Sequence, residues 1–427
     1  MRKIAMKITP HIVALVFSIT IALGINVANA AVPDGSVVKG LNKFAVDLYQ
    51  QISKSNQNIA ISPYGVSSLL GRLGRGAAGE TQTQMLNLFH LSTFDQINKV
   101  FSDLDNSLQI HNHCNTLAEC KINAPANLKA ADNKKSLFMV ANAIWTDQSL
   151  NYKLPFQQFF HEDQSVHFSA VDFAHHLEDA RNHINQWVAY NTNDTIKDLL
   201  TKGSITSDTK LLLTNAIYFK GKWQLPFQVN NTQDQPFKLL NGNEVPVAMM
   251  HNPHDKFKYS ENNSMQMIQL DYQNSSLAMA LILPKANSTL QAVQSELNID
   301  TVTALLQNAK LMEVDLYLPK FNLSSTLDTL DKTLQSMGLI DAFNERANFS
   351  NMTDAKVLIS KMMQKVFVQV DEEGTVAAAA TGLVFGPVMY REKIKFNADH
   401  PFIFIIFDTQ SKVLLFLGQV TDPRSLS

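Results

Sequence analysis

The sequence predicts an α+β fold in a single domain. Three observations predict it. Apolar residues at helical spacing fill the early part of the chain, β-branched and aromatic runs fill most of the later part, and no Pro/Gly/Ser-rich linker separates the two. The 427 residues are 45% hydrophobic and 17% charged, enough to bury one large core.

The first 30 residues read as a secretory signal. Arg2, Lys3 and Lys7 precede an apolar stretch from Ile12 to Leu23, and Ala28-Asn29-Ala30 is a small-x-small cleavage site. The mature chain is expected to start at Ala31. An uncleaved anchor helix is the alternative, but the apolar stretch is short for a bilayer span. Loss of these residues takes the net charge from −2 to −5. That argues against nucleic-acid or heparin-like partners, which call for a basic stripe.

Helical spacing runs from Val38 to Ser53. Ser62-Pro63 is a cap-plus-proline start for a second helix, and Glu80 to Phe89 and Phe94 to Leu108 continue the pattern. A further helix is predicted over 184–200, in "INQWVAYNTNDTIKDLL". Strands are predicted at "LFMVANAIW" (137–145), "KLLLTNAIYF" (210–219), "LAMALILP" (277–284), "EVDLYLPKF" (313–321) and "FIFIIFD" (402–408). The polar stretch His111 to Lys135 reads as a loop. Its two cysteines, Cys114 and Cys120, can close a small local disulfide in an exported chain; with His111 and His113 they offer zinc-ligand types, the less favoured reading. No metal or other cofactor is expected. His251 and His254 flank Asn252-Pro253, which reads as a solvated turn.

No nucleophile elbow, zinc-protease helix or phosphate loop is present, so an enzyme reading has no motif to stand on. The glycines of "GRLGRG" (71–76) fall inside a helical pattern. The stretch that calls for explanation is "DEEGTVAAAATG" (371–382). Four alanines in a row suit a surface helix, a tether, or a strand waiting to join a sheet.

Several segments together resemble the serpin family: "NIAISPYGVSSLLGRLGRGAAGET" (58–81), "LLLTNAIYFKGKWQLPF" (211–227), "LYLPKFNLSSTLDTLDKTLQSMGLIDAF" (316–343), "KMMQKVFVQVDEEGTVAAAATG" (361–382) and "FNADHPFIFIIFDTQSKVLLFLGQVTDP" (396–423). They occur in family order across nearly the whole mature chain. The resemblance implies helices packed on a large mixed sheet with further sheets. It also implies an exposed reactive loop at about 372–393, within a domain spanning 31–427. In that family a target serine protease cuts the loop, whose N-terminal part then inserts into the main sheet. The likeness implies a monomeric, non-enzymatic inhibitor; the signal segment predicts secretion, which could end in a periplasm, and no later apolar run is long enough to predict membrane attachment once the signal is removed.

The residue types fit insertion. Strand period two puts Thr375, Ala377, Ala379 and Thr381 on one face and Val376, Ala378 and Ala380 on the other, all small and uncharged. Gly374 gives the chain freedom to fold over after Glu372 and Glu373. Family spacing places the scissile bond about 14 residues past Gly374, at Val388–Met389, a placement that loop length can shift by about one residue. A β-branched Val388 suits an elastase-type pocket. Met389 is the second choice and would suit chymotrypsin-like enzymes, whereas Arg391 would require a longer slip.

Ser62, Gly65, Asn215 and Gln364 occupy the positions of the family's sheet-opening group, which has Ser, Ser, Asn and His. Trp223, Lys320 and Glu372 match the group at the top of the sheet, where a Lys320–Glu372 ion pair is expected. Lys99 is the only cation from Phe94 to Leu108, so heparin activation is not expected. The competing class is a non-inhibitory serpin, a carrier or chaperone, whose hinge would carry bulky or charged residues.

Overall fold

The computed structural model describes residues 35–54, 56–108, 137–163, 165–253, 255–373 and 393–424. The signal segment, Cys114, Cys120, His254 and the stretch 374–392 lie outside these. Helix α1 (Gly35–Ile52) buries Val37, Leu41, Phe44, Leu48 and Tyr49, the stripe that the spacing predicted. After strand β1 (Ile59–Ile61), α2 (Pro63–Leu73) starts where expected, with the Ser62 hydroxyl accepting from the Gly65 N–H and Pro63 in the first turn. Helices α3 (Gly79–Leu88) and α4 (Phe94–Leu108) follow.

Strand β2 (Leu137–Asp147), helix α5 (Leu154–Glu162) and strand β3 (His167–Val171) come next, then α6 (Leu177–Asn191). The predicted helix over 184–200 ends early, at Asn191. Asn193 and Asp194 adopt positive φ (49° and 57°), which a helix does not tolerate. The tail to Leu200 is held instead by the Asn185 side chain, which bonds both the N–H and the C=O of Leu200 at 2.9 Å.

Strands β4 (Leu211–Lys220), β5 (Gln233–Lys238), β6 (Glu244–Asn252), β7 (Lys256–Glu261), β8 (Met265–Asp271) and β9 (Leu277–Pro284) lead to helices α7 (Leu290–Glu296) and α8 (Ile299–Asn308). The predicted turn at 251–254 is in part the end of β6: His251 lies in the strand, opposite Tyr317, and is half-buried. The predicted strand at 313–321 is two strands, β10 (Lys310–Pro319) and β11 (Phe321–Leu327), with Lys320 alone between them. Helix α9 (Leu330–Ser336) and strands β12 (Lys361–Val370), β13 (Ile394–Asn397), β14 (Phe402–Asp408) and β15 (Leu414–Val420) complete the chain.

The strands form two sheets. A ten-stranded sheet runs β1-β15-β14-β9-β8-β7-β10-β6-β5, with β13 added on β10. A five-stranded mixed sheet runs β11-β12-β4-β2-β3. They pack face to face, and the rings of Phe138, Phe219 and Phe416 meet across the interface at 5.5–5.9 Å. Strand period two divides the five-stranded sheet. Val140, Ile144, Leu213 and Ile217 enter the main core, while Ala141, Ala143, Trp145, Leu212 and Ala216 join Ile184, Trp187 and Val188 of α6 on the other face.

A buried charge cluster ties α2 to α4. Arg72 of α2 is 0% exposed and contacts Asp105 of α4 at 2.7 Å and Asp163 at 2.5 Å. The Tyr64 hydroxyl donates to the other oxygen of Asp105. Burial raises the pKa of the Asp105 carboxyl, against the opposing pull of Arg72. Removing one partner of such a pair strands the other's charge. Arg72→Met is therefore expected to cost about 3–5 kcal/mol of stability, and Arg72→Met with Asp105→Asn markedly less. Denaturant melts of the two variants would check this; equal losses would refute the pairing argument.

Candidate functional site

The residues singled out from sequence gather along one line, the seam between β4 and β12. These strands run parallel and pair directly, from Leu212 opposite Lys361 to Lys220 opposite Gln369. The register places Asn215 opposite Gln364, and on the other side β2 places Asn142 opposite Asn215. Three amides therefore form a row beneath the sheet, all 0% exposed. Gln364 donates to Asn215 at 2.7 Å and to the Ser62 carbonyl at 2.9 Å, and accepts from the Ser62 N–H at 2.9 Å. Asn215 donates to Asn142. The Ser62 hydroxyl donates to the Leu415 carbonyl at 2.9 Å.

The two departures from the family pattern fit each other. A Cβ on Gly65 would lie 2.3 Å from the Asn215 carboxamide, so the missing side chain at 65 is what lets Asn215 sit there. Gln364 then uses two donors and an acceptor at once, which a neutral imidazole cannot do. Sequence reasoning found Ser62, Gly65, Asn215 and Gln364 but missed Asn142. Its signal was available: the β2 run "VANAIW" has one polar residue in an apolar strand.

At the top of the seam, three consecutive acids are each held. Lys320 lies 2.7 Å from Glu372, which also accepts from the Thr232 hydroxyl at 2.8 Å. Lys220, the last residue of β4, reaches Asp371 at 3.2 Å and Glu373 at 3.1 Å. The Trp223 indole donates to the Asp371 carbonyl at 2.9 Å and stacks on Tyr272 with centroids 4.6 Å apart. Gly221 admits Tyr272, whose ring would lie 2.1 Å from a Cβ there. The expected Lys320–Glu372 pair is present. Lys220 and Thr232 were not anticipated, because nothing in a linear reading links them to residue 372. Burial pushes the Glu372 carboxyl up, but the bonds from Lys320, the backbone and Thr232 outweigh it and leave it below its ordinary range.

At the foot, the Ser360 N–H to Leu211 carbonyl bond (2.8 Å) closes the seam. A cavity of about 700 Å³ lies there, lined by residues that include Thr209, Lys210, Val357, Ser360 and Lys361. Of the predicted hinge, Glu372 and Glu373 are described. Gly374, Thr375, Ala377, Ala379, Thr381 and the Val388–Met389 bond lie outside the described residues.

A five-stranded mixed sheet with a directly paired parallel seam, backed by a ten-stranded sheet and helices, is the architecture of one class of protein. A family model described as Serpin (serine protease inhibitor) matches residues 39–423, and the chain belongs to the serpin family. It is 34% identical over 391 residues to the leukocyte elastase inhibitor of Sus scrofa, covering 89% of this chain and 98% of that one. It is 33% identical over 415 residues to an uncharacterized serpin-like protein of Methanosarcina mazei, covering 95% and 92%. Among solved structures, uncleaved ovalbumin aligns at a TM-score of 0.77 and 26% identity, covering 91% of this chain and 100% of that one. Native protease nexin-1 with heparin aligns at 0.76 and 26%, covering 91% and 99%.

Gly65→Ala is expected to displace Asn215 and cost about 1–3 kcal/mol, read as a lower denaturation midpoint; an unchanged midpoint would contradict the close packing at 65. Because the pKa of Glu372 is depressed in the fold, its bonds contribute stability above the unfolded carboxylate value of 4.5, and this contribution is lost as pH falls through the folded pKa. The stability gap between the protein and Glu372→Gln should therefore be present at neutral pH and close below about pH 4.5. A gap that persists in acid would show that the carboxylate charge is not what matters.

Proposed function

We propose that this protein is a secreted suicide-substrate inhibitor of a serine protease, cut at Val388–Met389, that traps the acyl-enzyme by inserting its loop between β4 and β12. The observation that carries the reading is the seam. Strand β12 is bonded directly to β4 and ends at Val370, with three residues between it and Gly374, where the run of small residues begins. A strand entering between them would run antiparallel to both and would place Thr375, Ala377, Ala379 and Thr381 on one face, with no charge to bury.

Lengths agree with this. About 14 inserted residues span roughly 46 Å at ~3.3 Å each, beyond the roughly 33 Å of a ten-residue strand such as β12. The excess would arrive at the cavity at the foot. New ladder bonds at about 1 kcal/mol net each would release on the order of 10 kcal/mol, so the uncut protein would be held kinetically. In this mechanism the serine of the protease attacks the Val388 carbonyl, the amine of Met389 departs, and insertion carries the ester away from the machinery that would hydrolyse it.

An elastase-like target is favoured by Val388 and by the name of the similar leukocyte elastase inhibitors. Chymotrypsin-like enzymes acting at Met389 come second. Export after cleavage at Ala30 is part of the proposal, and sequencing the mature N-terminus tests it.

Incubation with a panel of elastase- and chymotrypsin-like proteases should yield an adduct that survives a denaturing gel, with a released peptide starting at Met389. Cleaved protein without adduct from every protease would leave the carrier or chaperone reading instead. Thr375→Arg should form little adduct and be cut as a substrate, because a guanidinium would have to enter the sheet. Unchanged adduct yield would overturn the inward-facing assignment of Thr375.

A further inference from the structure

We propose that the rings of Tyr218 and Phe367 form a clasp across the outer face of the seam, and that parting them limits how fast a strand enters between β4 and β12. The proposal rests on the inhibitory reading and adds two side chains that set the rate of its insertion step.

Register puts the two rings side by side. Tyr218 of β4 stands opposite Phe367 of β12, and their centroids lie 5.5 Å apart with planes at 33°. Asn215 and Gln364 lie three residues down the same strands, so period two sends the rings to the face away from the amide row. Tyr218 is buried, and Phe367 is half-buried against the cluster around α6. On its other side Phe367 faces Ser324 of β11, which offers no ring. Among the described residues, Tyr218 is the only aromatic ring in contact with Phe367.

The pair stands between two other closures of the same face. Lower down, Leu212, Ala216 and Met363 pack with Ile184, Trp187 and Val188 of α6. Higher up, Lys220 joins Asp371 and Glu373. Between these, at 218 and 367, two rings meet across the seam.

Insertion cannot keep this contact. The backbone bonds between β4 and β12 are replaced, because the entering strand bonds to both neighbours. The ring contact is not replaced. A new strand widens the spacing of β4 and β12 from about 4.8 Å to about 9.6 Å and carries the centroids to roughly 10 Å, outside the range of about 4.5–7 Å in which aromatic pairs attract. Residues 375 to 381, which the reading inserts, carry no aromatic side chain to take its place. The contact is therefore lost before the ladder of new bonds is complete, which places its loss in the barrier.

Amide exchange in the uncut protein tests the clasp without a protease. Tyr218→Leu and Phe367→Leu are each expected to speed exchange of the β4 and β12 amides about fivefold relative to those of β14 and β15, the scale on which an aromatic pair contributes beyond its burial. The double variant should add little to either single change, and Tyr218→Phe should match the parent protein. With the protease of the panel that forms adduct fastest, Phe367→Leu should raise the limiting rate of adduct formation at saturating protease severalfold. If the parent protein forms no adduct with any protease, the inhibitory reading fails, and exchange alone decides whether the rings clasp the seam. Seam exchange that rises no more than that of β14 and β15, additive effects in the double variant, or an unchanged limiting rate would each overturn the clasp.

Discussion

The direct pairing of β4 with β12 is the constraint on which the rest of this structure depends. The two strands come from distant parts of the chain, yet they lie parallel and in register over most of their length. Parallel neighbours cannot be joined by a hairpin, so the pair is held by what surrounds it. Beneath it, the row Asn142–Asn215–Gln364 crosses three strands and ties them to the start of α2 through Ser62. Above it, Lys220 and Lys320 hold Asp371, Glu372 and Glu373 from both sides.

These two sets of bonds differ in kind. The amide row is fully buried and carries no titratable side chain, so each lost bond leaves a desolvated polar group without a partner. The ion pairs at the top are partly exposed and partly screened, so each is individually weak. Their position gives them weight, because they hold the last residues before Gly374 against both flanking strands. Opening the seam from the top breaks the weaker set first. That order suits a molecule whose proposed action begins with the hinge folding over.

The hinge latch and the sheet edge at β13 lie on one stretch of chain. Strand β10 is shared: its first half pairs with β7 and its second with β6 and β13, and Lys320 alone separates it from β11. The residue that holds Glu372 therefore lies one peptide beyond the strand that presents Tyr317.

The helices α1 to α4 and the buried strands β4, β9 and β14 were legible in the sequence, because periodicity and caps are local and each run is long. The short, half-exposed strands β5 to β7 were not, since their polar faces break the pattern and only neighbouring strands stabilise them. The end of α6 was missed because αL residues at 193 and 194 outweigh a helical apolar pattern that continues past them. Ser62, Asn215, Gln364, Trp223, Lys320 and Glu372 could be named from the sequence because family motifs carry them. Sequence by itself determined the fold class, the family and the small side chains from Thr375 to Thr381. Only the tertiary structure decided that Gly65 makes room for Asn215, that Lys220 closes on Asp371 and Glu373, and that Tyr218 meets Phe367 across the seam. The physical reason is that these contacts depend on strand register across residues far apart in the chain, and register is settled by packing of whole sheets, not by any local run of residues.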